Sequence, residues 1–343
     1  MLDVTGQGGR VPVGKLLVAN AIVTPSIHYL PQPALARASL PMTSKRASGP
    51  PLVLTFAGAD PTSGAGLQAD LLTVCGMGCH ALGVVTAISV QDTVGISDIM
   101  PVSADVVSAQ ARTILNDMSV SAIKVGVIGS YDNAVAISAV AREYPNIPLI
   151  LDPVLASGRG DPLGAQDVLE ALLEHLVPMA TLVTPNSMEA RQLAGDITGH
   201  DLALDDCARS LTERGARYIL ITGTHEPTIP VVNTLYGAAG RIRQDRWKRL
   251  GGEYHGSGCT LASAIAAALA NGLDLEDAVR AAQDYTWHAL RCAFRPGKGQ
   301  SIPDRFFWAR EGELESGLEP AEAQPEPGSR RMQADAEPGP ELA

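Results

Sequence analysis

The chain has 343 residues, a length that allows one large α/β domain or two ordinary ones. Hydrophobic residues make up 45% and charged residues 18%, which excludes wholesale disorder and allows a sizeable core. The net charge of −11 and the 4% of aromatic residues argue against a nucleic-acid partner, which would need a basic surface with aromatic side chains. A local basic pocket for a small phosphate ligand stays compatible with this charge.

Both ends of the chain differ in composition from the rest. Residues 1–50 carry five basic residues against one acid, several prolines and no amphipathic period, so we expect a disordered extension, with a transit peptide as the alternative. Residues 310–343 carry nine acids, three bases and five prolines, and we expect a disordered acidic tail. The folded body is then about 51–309, the size of a single α/β domain.

Short apolar runs alternate with helical stretches through this body. The predicted strands are Leu52–Ala57, Gly83–Val90, Ala122–Gly126, Pro148–Leu151, Thr181–Thr184 and Tyr218–Thr222. The predicted helices are Leu67–Cys75, Ala104–Asn116, Asn133–Arg142, Ala165–Leu176, Ser187–Leu193, Leu204–Arg214, Thr260–Ala270 and Leu275–Arg291. Strands that are apolar on both faces and separated by helices predict a mostly parallel central sheet covered on both faces. Ligands bind such sheets at the carboxyl ends of the strands.

The cysteines and the apolar runs bear on compartment. Five scattered cysteines are an odd number and do not form a disulfide framework, so we expect a reducing cytoplasm. Cys75 and Cys79 lie four residues apart on an apolar stretch, and we expect them in the core, because no second pair completes a tetrahedral metal site. The run Ala81–Val90 ends after ten residues, well short of the roughly 20 residues of a membrane helix, so we predict no membrane partner.

The first strand leads into a glycine-rich loop and a helix. The segment Thr55–Asp70 matches neither the dinucleotide fingerprint nor the P-loop. Asp70 lies one turn into an otherwise apolar helix, and we expect it to face a ligand at the sheet edge; a solvated helix charge is the alternative. Gln91 follows the strand Gly83–Val90, where its neutral amide can donate to and accept from the edge of a heteroaromatic ring.

Two further strands end in polar residues. Asp152 follows Pro148–Leu151, in a position suited to a phosphate or Mg²⁺ neighbour. Asn186 and Glu189 follow Thr181–Thr184 and share one face of a first helical turn. That face suits a hydrated Mg²⁺, but the same spacing is typical of a helix cap, and the local pattern alone favours the cap.

The segment Gly256–Cys259 precedes a helix built from alanine and leucine. Free N–H groups at such a helix start form an anion site, which glycines leave accessible. Cys259 lies in the first turn, where the helix dipole is expected to lower the thiol pKa and make the thiol an activatable base. A glycine-rich turn with a buried cysteine is an equal alternative. No G-x-S-x-G elbow is present, and His225 and His255 lack metal-ligand spacing.

Taken in order, these segments resemble the hydroxymethylpyrimidine/phosphomethylpyrimidine kinases, a family of the ribokinase superfamily. The similar segments cover nearly all of residues 51–309. They are LTFAGADPTSGAGLQADL, VVTAISVQDTVG, IKVGVIGS, LDPVLASGRGDPL, LVTPNSMEA, LITGTH and HGSGCTLASAIAA. The resemblance implies a ribokinase-like three-layer α/β/α fold, with ATP- and Mg²⁺-dependent phosphorylation of hydroxymethylpyrimidine and then of its monophosphate in thiamine biosynthesis. It also implies a homodimer.

The resemblance assigns roles to residues of this sequence. Cys259 would be the catalytic base beside an anion hole made by Gly256, Ser257 and Gly258. The pyrimidine would contact Gln91, Gly58, Asp70, Val127 and Val154. The phosphates of ATP would lie near Asp152, Asn186 and Thr222. Asn186 and Glu189 match the superfamily's Mg²⁺ and phosphate motif, which reverses the local preference for a simple cap.

Three positions depart from the family pattern. The lysine that often follows Asp-Pro-Val aligns with Gly158, next to Arg159, which is a candidate substitute. The sequence Thr222-Gly-Thr-His stands where Lys-Gly-Gly-His is common in the family. Gly252 replaces a basic residue that commonly precedes the His-Gly-Ser-Gly-Cys segment, so Lys248 and Arg249 are candidate sources of positive charge. The alternatives are a pyridoxine or pyridoxal kinase and a non-catalytic pyrimidine sensor. A sugar kinase is disfavoured because its base would be an aspartate at the position of Cys259.

Overall fold

The computed structural model describes residues 49–155, 166–195 and 202–310. The strands are β1 Leu52–Ala59, β2 His80–Gln91, β3 Ile96–Pro101, β4 Val120–Val125, β5 Leu149–Leu151, β6 Leu182–Val183, β7 Tyr218–Ile221, β8 Val231–Gly237 and β9 Gly240–Trp247. The helices are α1 Gly66–Gly76, α2 Ala104–Asp117, α3 Tyr131–Arg142, α4 Gln166–Ala171, α5 Ser187–Leu193, α6 Leu204–Glu213, α7 Ser257–Ala270 and α8 Leu275–Arg291. A π-helical turn, Leu172–Leu176, follows α4.

The described strands form one sheet in the order β3-β2-β1-β4-β5-β6-β7-β8-β9. The pairs from β2 to β7 are parallel, whereas β3, β8 and β9 join antiparallel at the two edges. The parallel strands therefore end at one common edge, and the polar residues that follow them come together there.

Each face of the sheet packs on its own set of helices. Leu54 of β1 belongs to a core with residues of α2 to α6, whereas its neighbour Val53 faces a second core built from α1, α7 and α8. Alternation along a strand sends successive side chains to opposite faces, so both faces are apolar. The predicted three-layer α/β/α architecture with a mostly parallel sheet is confirmed.

The sequence missed three strands, all at the antiparallel edges. β9 has the sequence GRIRQDRW, whose charged residues hide its alternation, and β3 is largely exposed to solvent. Strands β1, β2 and β4 to β7 and all eight predicted helices are present with small shifts of their ends. Within the residues that the structure describes, no helix is both long and apolar enough to cross a membrane.

The expectation that both Cys75 and Cys79 lie in the core was half right. Cys79 is buried, but Cys75 is exposed on α1. The helix ends at Gly76, and Gly78 follows with a φ of 80°, so Cys79 lies beyond the helix and does not share a face with Cys75.

Candidate active site

A cleft of about 880 Å³ opens where the parallel strands end. Its wall contains residues that follow β1, β2, β4, β5, β6 and β7, together with the first turn of α7. The structure brings together on this wall every predicted site residue except Asp70: Gly58, Gln91, Val127, Asp152, Val154, Asn186, Glu189, Thr222, Gly256, Ser257, Gly258 and Cys259.

The N-terminus of α7 is open to the cleft. Gly256 precedes the helix with a φ of 81° and, among the described residues, gives it no side-chain cap. A Cβ at Gly256 would overlap the carbonyl oxygen of Gly64, so glycine is required there for both backbone angle and space. The first N–H groups of a helix have no intrahelical acceptor, and here they face the cleft. This arrangement supports an anion site at Gly256, Ser257 and Gly258.

The loop between β1 and α1 is organised around Asp60, which sequence reasoning missed. Its Oδ2 accepts from the N–H of Ala65 at 2.7 Å and lies 2.9 Å from His255 Nε2, while its Oδ1 accepts from the N–H of Thr62 at 2.8 Å. Burial alone raises the pKa of Asp60, but these donors, with a further contribution from Gln91, hold it well below its usual range. The ionised Asp60 therefore connects the β1–α1 loop to His255, the residue just before Gly256.

Arg305 makes a second connection between the same two segments. Its Nη2 donates to the carbonyl oxygen of Gly64 at 2.6 Å, its Nη1 to that of Ser63 at 3.2 Å, and its Nε to Thr260 Oγ1 at 3.1 Å. Arg305 is buried and far from these residues in sequence, so no local signal predicted the contact. The first turn of α7 is thus fixed against the β1–α1 loop from two sides.

Cys259 lines the cleft, but the expected lowering of its thiol pKa was wrong. Burial raises the pKa of Cys259 to about 12. Lys124 opposes this shift, Asp152 and Asp70 add to it, and the N–H of Gly66 opposes it weakly. The side chain is 8% exposed, so the loss of water outweighs the favourable end of the helix dipole. The free protein holds a protonated thiol at neutral pH.

Asp70 lies below the cleft rather than on its wall, contrary to the prediction. Both of its carboxylate oxygens lie 2.9 Å from Lys124 Nζ, and its Oδ1 also accepts from Ser263 Oγ at 2.8 Å. All three side chains are buried. Burial lowers the pKa of Lys124, but Asp70, Cys259 and Asp152 raise it above its ordinary value, so the lysine keeps its charge. Asp70 is occupied by this ion pair and does not reach a ligand in the cleft.

Asn186 and Glu189 form a complete capping box at the start of α5. Asn186 Oδ1 accepts from the N–H groups of Met188 and Glu189 at 2.9 Å, and Glu189 Oε2 accepts from the N–H of Asn186 at 2.9 Å. Burial raises the pKa of Glu189 to about 8, with a further contribution from Asp152. Both residues also line the cleft. The helix cap that the local pattern favours is therefore present. Asn186 and Glu189 also lie at the cleft, as the family resemblance implies.

One end of the cleft is lined by small and apolar residues. Gly58, Val127 and Val154 line it together with Gln91. A Cβ at Gly58 would lie 3.6 Å from Val127 Cγ1, so a side chain at this position would take up space in the cleft. Apolar walls with one amide nearby are typical of a site for a flat heteroaromatic ring.

The other end of the cleft carries two tryptophans. Trp247 and Trp287 stack with ring centroids 6.5 Å apart. The Trp247 indole N–H donates to Gln283 Oε1 at 2.9 Å, and the Trp287 indole N–H donates to the carbonyl oxygen of Lys248 at 3.0 Å. Both rings line the cleft, and they were not identified from the sequence. The ring faces are already engaged, because the two rings stack on each other and the guanidinium groups of Arg280 and Arg291 lie over Trp247 and Trp287.

The candidate cations behave differently from one another. The guanidinium of Arg249 donates to the carbonyl oxygens of Thr224, Glu226 and Thr228 at 2.7 to 3.2 Å, so it organises a loop. Lys248 lines the cleft. Gly158 and Arg159 lie outside the residues that the structure describes.

The proteins that are similar to this chain are kinases, in agreement with the geometry of the cleft. The sequence profile of the family described as phosphomethylpyrimidine kinase matches residues 60–304. A hydroxymethylpyrimidine/phosphomethylpyrimidine kinase of Mycobacterium bovis is 40% identical over 261 residues, which are 75% of this chain and 94% of that protein.

Two solved structures are similar as well. The phosphomethylpyrimidine kinase of Clostridium difficile has a TM-score of 0.60 and 30% identity, covering 70% of this chain and 99% of that one. The pyridoxal kinase of Staphylococcus aureus in complex with AMP-PCP and pyridoxal has a TM-score of 0.68 and 29% identity, covering 77% of this chain and 96% of that one.

Proposed function

The chain belongs to the phosphomethylpyrimidine kinase family, and from this premise we infer that it is an ATP-dependent kinase of hydroxymethylpyrimidine and of its monophosphate in thiamine biosynthesis. The single observation that carries the assignment is one cleft that holds the open N-terminus of α7, Cys259 in its first turn, and Gln91 at the far end of β2. A non-catalytic sensor would not need a thiol beside an anion site.

We propose that the two ends of the cleft separate the two substrates. The pyrimidine would lie between Gly58, Val127 and Val154, with the Gln91 amide at its edge. The base of ATP would lie in the part of the cleft that Trp247, Lys248 and Trp287 line. The phosphates would then extend past Thr222, Asn186 and Asp152 toward the N-terminus of α7. Asp70 is left out of this assignment, since its ion pair occupies it.

Phosphoryl transfer depends mainly on positioning and on neutralising charge. The backbone N–H groups of Ser257 and Gly258 would stabilise the oxygens of the transferred group. We assign Cys259 as the acceptor of the hydroxymethyl proton. Burial keeps this thiol protonated in the free protein, so it must first give its own proton to water before its thiolate can accept the hydroxymethyl proton. A loose transition state releases the hydroxymethyl proton late in the transfer.

The cleft also suits Mg²⁺. Asp152 Oδ2 is buried and has no hydrogen-bond partner among the described residues, although Lys124 Nζ lies 3.5 Å away, and the Asp152 carboxylate interacts electrostatically with Glu189. Within the described ranges no three His, Cys, Asp or Glu residues cluster as a metal site, so the protein would offer two carboxylates, with Asn186 nearby. Mg²⁺ accepts few protein ligands and keeps several waters, and when bound it neutralises phosphate charge. The predicted homodimer and cytoplasmic location stay predictions.

Pyridoxal is the second candidate substrate, because a pyridoxal kinase is similar over most of this chain. The deciding experiment is ADP release by the purified full chain with hydroxymethylpyrimidine, with its monophosphate and with pyridoxal. We expect the two pyrimidines to give a kcat/KM at least about tenfold above pyridoxal. Faster turnover of pyridoxal would overturn the substrate assignment.

The role of the thiol is tested by Cys259→Ala in the same assay. We expect kcat to fall at least about 100-fold, because the proton acceptor is lost, while the pyrimidine still binds by calorimetry within about threefold of the normal affinity. Cys75→Ala, at an exposed cysteine remote from the cleft, is the matched control and should be unchanged. Near-normal turnover of Cys259→Ala would show that the thiol is not the proton acceptor.

A further inference from the structure

Beneath the anion hole, Asp152 is joined to two buried charges that the reaction described above does not use. Lys124 of β4 is fully buried, with its Nζ 2.9 Å from both carboxylate oxygens of Asp70 on α1 and 3.5 Å from Asp152 Oδ2 after β5. We call Asp70, Lys124 and Asp152 the buried charge cluster. A lysine is rarely this buried, and a buried ion pair is often no more stable than apolar side chains of the same size. Fold stability alone is therefore a weak reason for this cluster.

The surrounding chain is built to accommodate the lysine. A Cβ at Gly126 would lie 2.6 Å from Lys124 Nζ, so glycine leaves room for the ammonium group. Ser263 of α7 donates to Asp70 Oδ1 at 2.8 Å. The cluster thus joins α1, α7 and two central strands below the cleft.

The cluster lies directly under Cys259. Cys259 and Ser263 are four residues apart on α7, so they share one face of the helix, and Ser263 contacts Asp70. Cys259 is therefore one turn nearer the cleft than the cluster. Asp70, Asp152 and Lys124 all act electrostatically on its sulfur.

The balance of charge explains why the lysine matters. A thiolate at Cys259 would stand beside two carboxylates, and the cations that act on it in the described residues are Lys124 and Arg305. The guanidinium of Arg305 keeps its charge but is hydrogen-bonded to neutral oxygens of Ser63, Gly64 and Thr260, whereas Lys124 is paired with both carboxylates. Lys124 is the ammonium that offsets the two carboxylates.

We propose that Lys124 is a positioning residue for phosphoryl transfer, whose ammonium stabilises the Cys259 thiolate that accepts the hydroxymethyl proton. The Cys259 thiol first gives its own proton to water. The proton of the hydroxymethyl oxygen then moves to the Cys259 thiolate while that oxygen forms its bond to the γ-phosphorus and the bond from this phosphorus to ADP breaks. The inference rests on the proposed role of Cys259.

The test measures the thiol directly rather than through turnover. The full chain, without nucleotide and with EDTA, is alkylated with iodoacetamide at a fixed alkaline pH, and the Cys259 peptide is followed by mass spectrometry. Lys124→Met should slow this alkylation at least about tenfold, because a nearby cation is lost. In the kinase assay it should lower kcat by a similar factor and leave the KM for ATP within about threefold.

Asp70→Asn is the matched variant with the opposite expected sign. It removes a negative charge below Cys259 and leaves Lys124 in place, so alkylation should become at least about threefold faster. The exposed Cys75 is an internal reference whose rate should stay constant. If both variants slow alkylation equally, or if Lys124→Met reacts at the normal rate, the proposal is overturned.

A second pair of variants covers the case in which Lys124→Met fails to fold. The double variant Asp70→Asn with Lys124→Met removes both members of the buried ion pair, and it should alkylate at least about tenfold more slowly than Asp70→Asn alone. Equal rates would overturn the proposal. If Cys259→Ala retains turnover while the lysine variants still slow alkylation, the effect of Lys124 on the thiol stands and the assignment of Cys259 as proton acceptor fails.

Discussion

Helices α5 and α7 both begin at the cleft, but the free N–H groups of their first turns are capped at α5 and uncapped at α7. At α5, Asn186 and Glu189 satisfy the free N–H groups with their own side chains. At α7, Gly256 starts the helix in a left-handed conformation and no side chain caps it. The same structural feature is therefore closed at one place in the cleft and open at the other.

The difference shows when a helix N-terminus can bind an anion. A phosphate competes with any side chain that already accepts from the first N–H groups. At α5 the first N–H groups already donate to Asn186. Helix α5 can therefore contact a ligand only through side-chain atoms that are not used in the capping box. At α7 the backbone itself is available, which makes it the stronger candidate for the transferred phosphoryl group.

The largest expected effect comes from closing the open end of α7. Gly256→Ala places a Cβ against the carbonyl oxygen of Gly64 and forces a residue with a side chain to keep a φ of 81°. We expect kcat to fall at least about 1000-fold and the free energy of unfolding to fall by at least about 2 kcal/mol, since overlap adds to backbone strain. ADP release and urea denaturation measure the two quantities.

The other end of the same helix provides the matched control. Gly272 has a φ of 91°, and a Cβ there would meet nothing within 4 Å. Gly272→Ala should therefore lose only about 1–2 kcal/mol of unfolding free energy and keep its turnover. Equal loss of turnover in both variants would contradict the special role of the α7 N-terminus.

A smaller effect is expected from loosening the support under α7. Asp60→Asn weakens the contacts with His255 and Ala65, and we expect the free energy of unfolding to fall by about 2–3 kcal/mol at neutral pH. The pKa of Asp60 is held below its ordinary 3.8, so its contribution is present above that value and is lost as the pH falls through the lower folded pKa. Urea denaturation over a series of pH values should show the two proteins converging in acid.

An exposed carboxylate calibrates this result. Asp98 lies on the solvent-exposed side of β3, and Asp98→Asn should change the free energy of unfolding by less than about 0.5 kcal/mol. A gap between Asp60→Asn and the unchanged protein that stays constant or widens in acid would contradict the proposed charge of Asp60.

The sequence predicted the contents of the cleft because the relevant signals are local. Apolar runs mark the buried parallel strands, and the polar residues that follow them must meet at one edge. Strands β3 and β9 escaped because exposed or charged residues obscure their alternation, whereas β8, with the mostly buried sequence VVNTLYG, carries a strand signal that was not used. The capping box was also visible because its signal is local: Asn186 and Glu189 are only three residues apart.

The connections below and beside the cleft could not be predicted in the same way. Arg305 binds Gly64 across most of the chain, and Asp60 meets His255 across a similar separation. One signal was available and unused: Lys124 is a single charge inside an apolar strand, which indicates a buried partner. The pKa of Cys259 was misjudged because burial depends on the packed structure, whereas the helix dipole is legible from sequence.

The smallest expected effect separates the two functions of Asn186. Asn186→Ala removes the cap of α5 and should cost about 1 kcal/mol of unfolding free energy, with turnover reduced only a few-fold. Asn186→Asp keeps an accepting oxygen and should restore stability, but its added charge near the ATP phosphates should raise the KM for ATP above that of Asn186→Ala.

Ser257→Ala, at the uncapped helix α7, should change the free energy of unfolding by less than about 0.5 kcal/mol. If Ser257→Ala were the more destabilising substitution, the contrast between a closed α5 and an open α7 would be reversed, because the α7 turn would then depend on a side-chain cap.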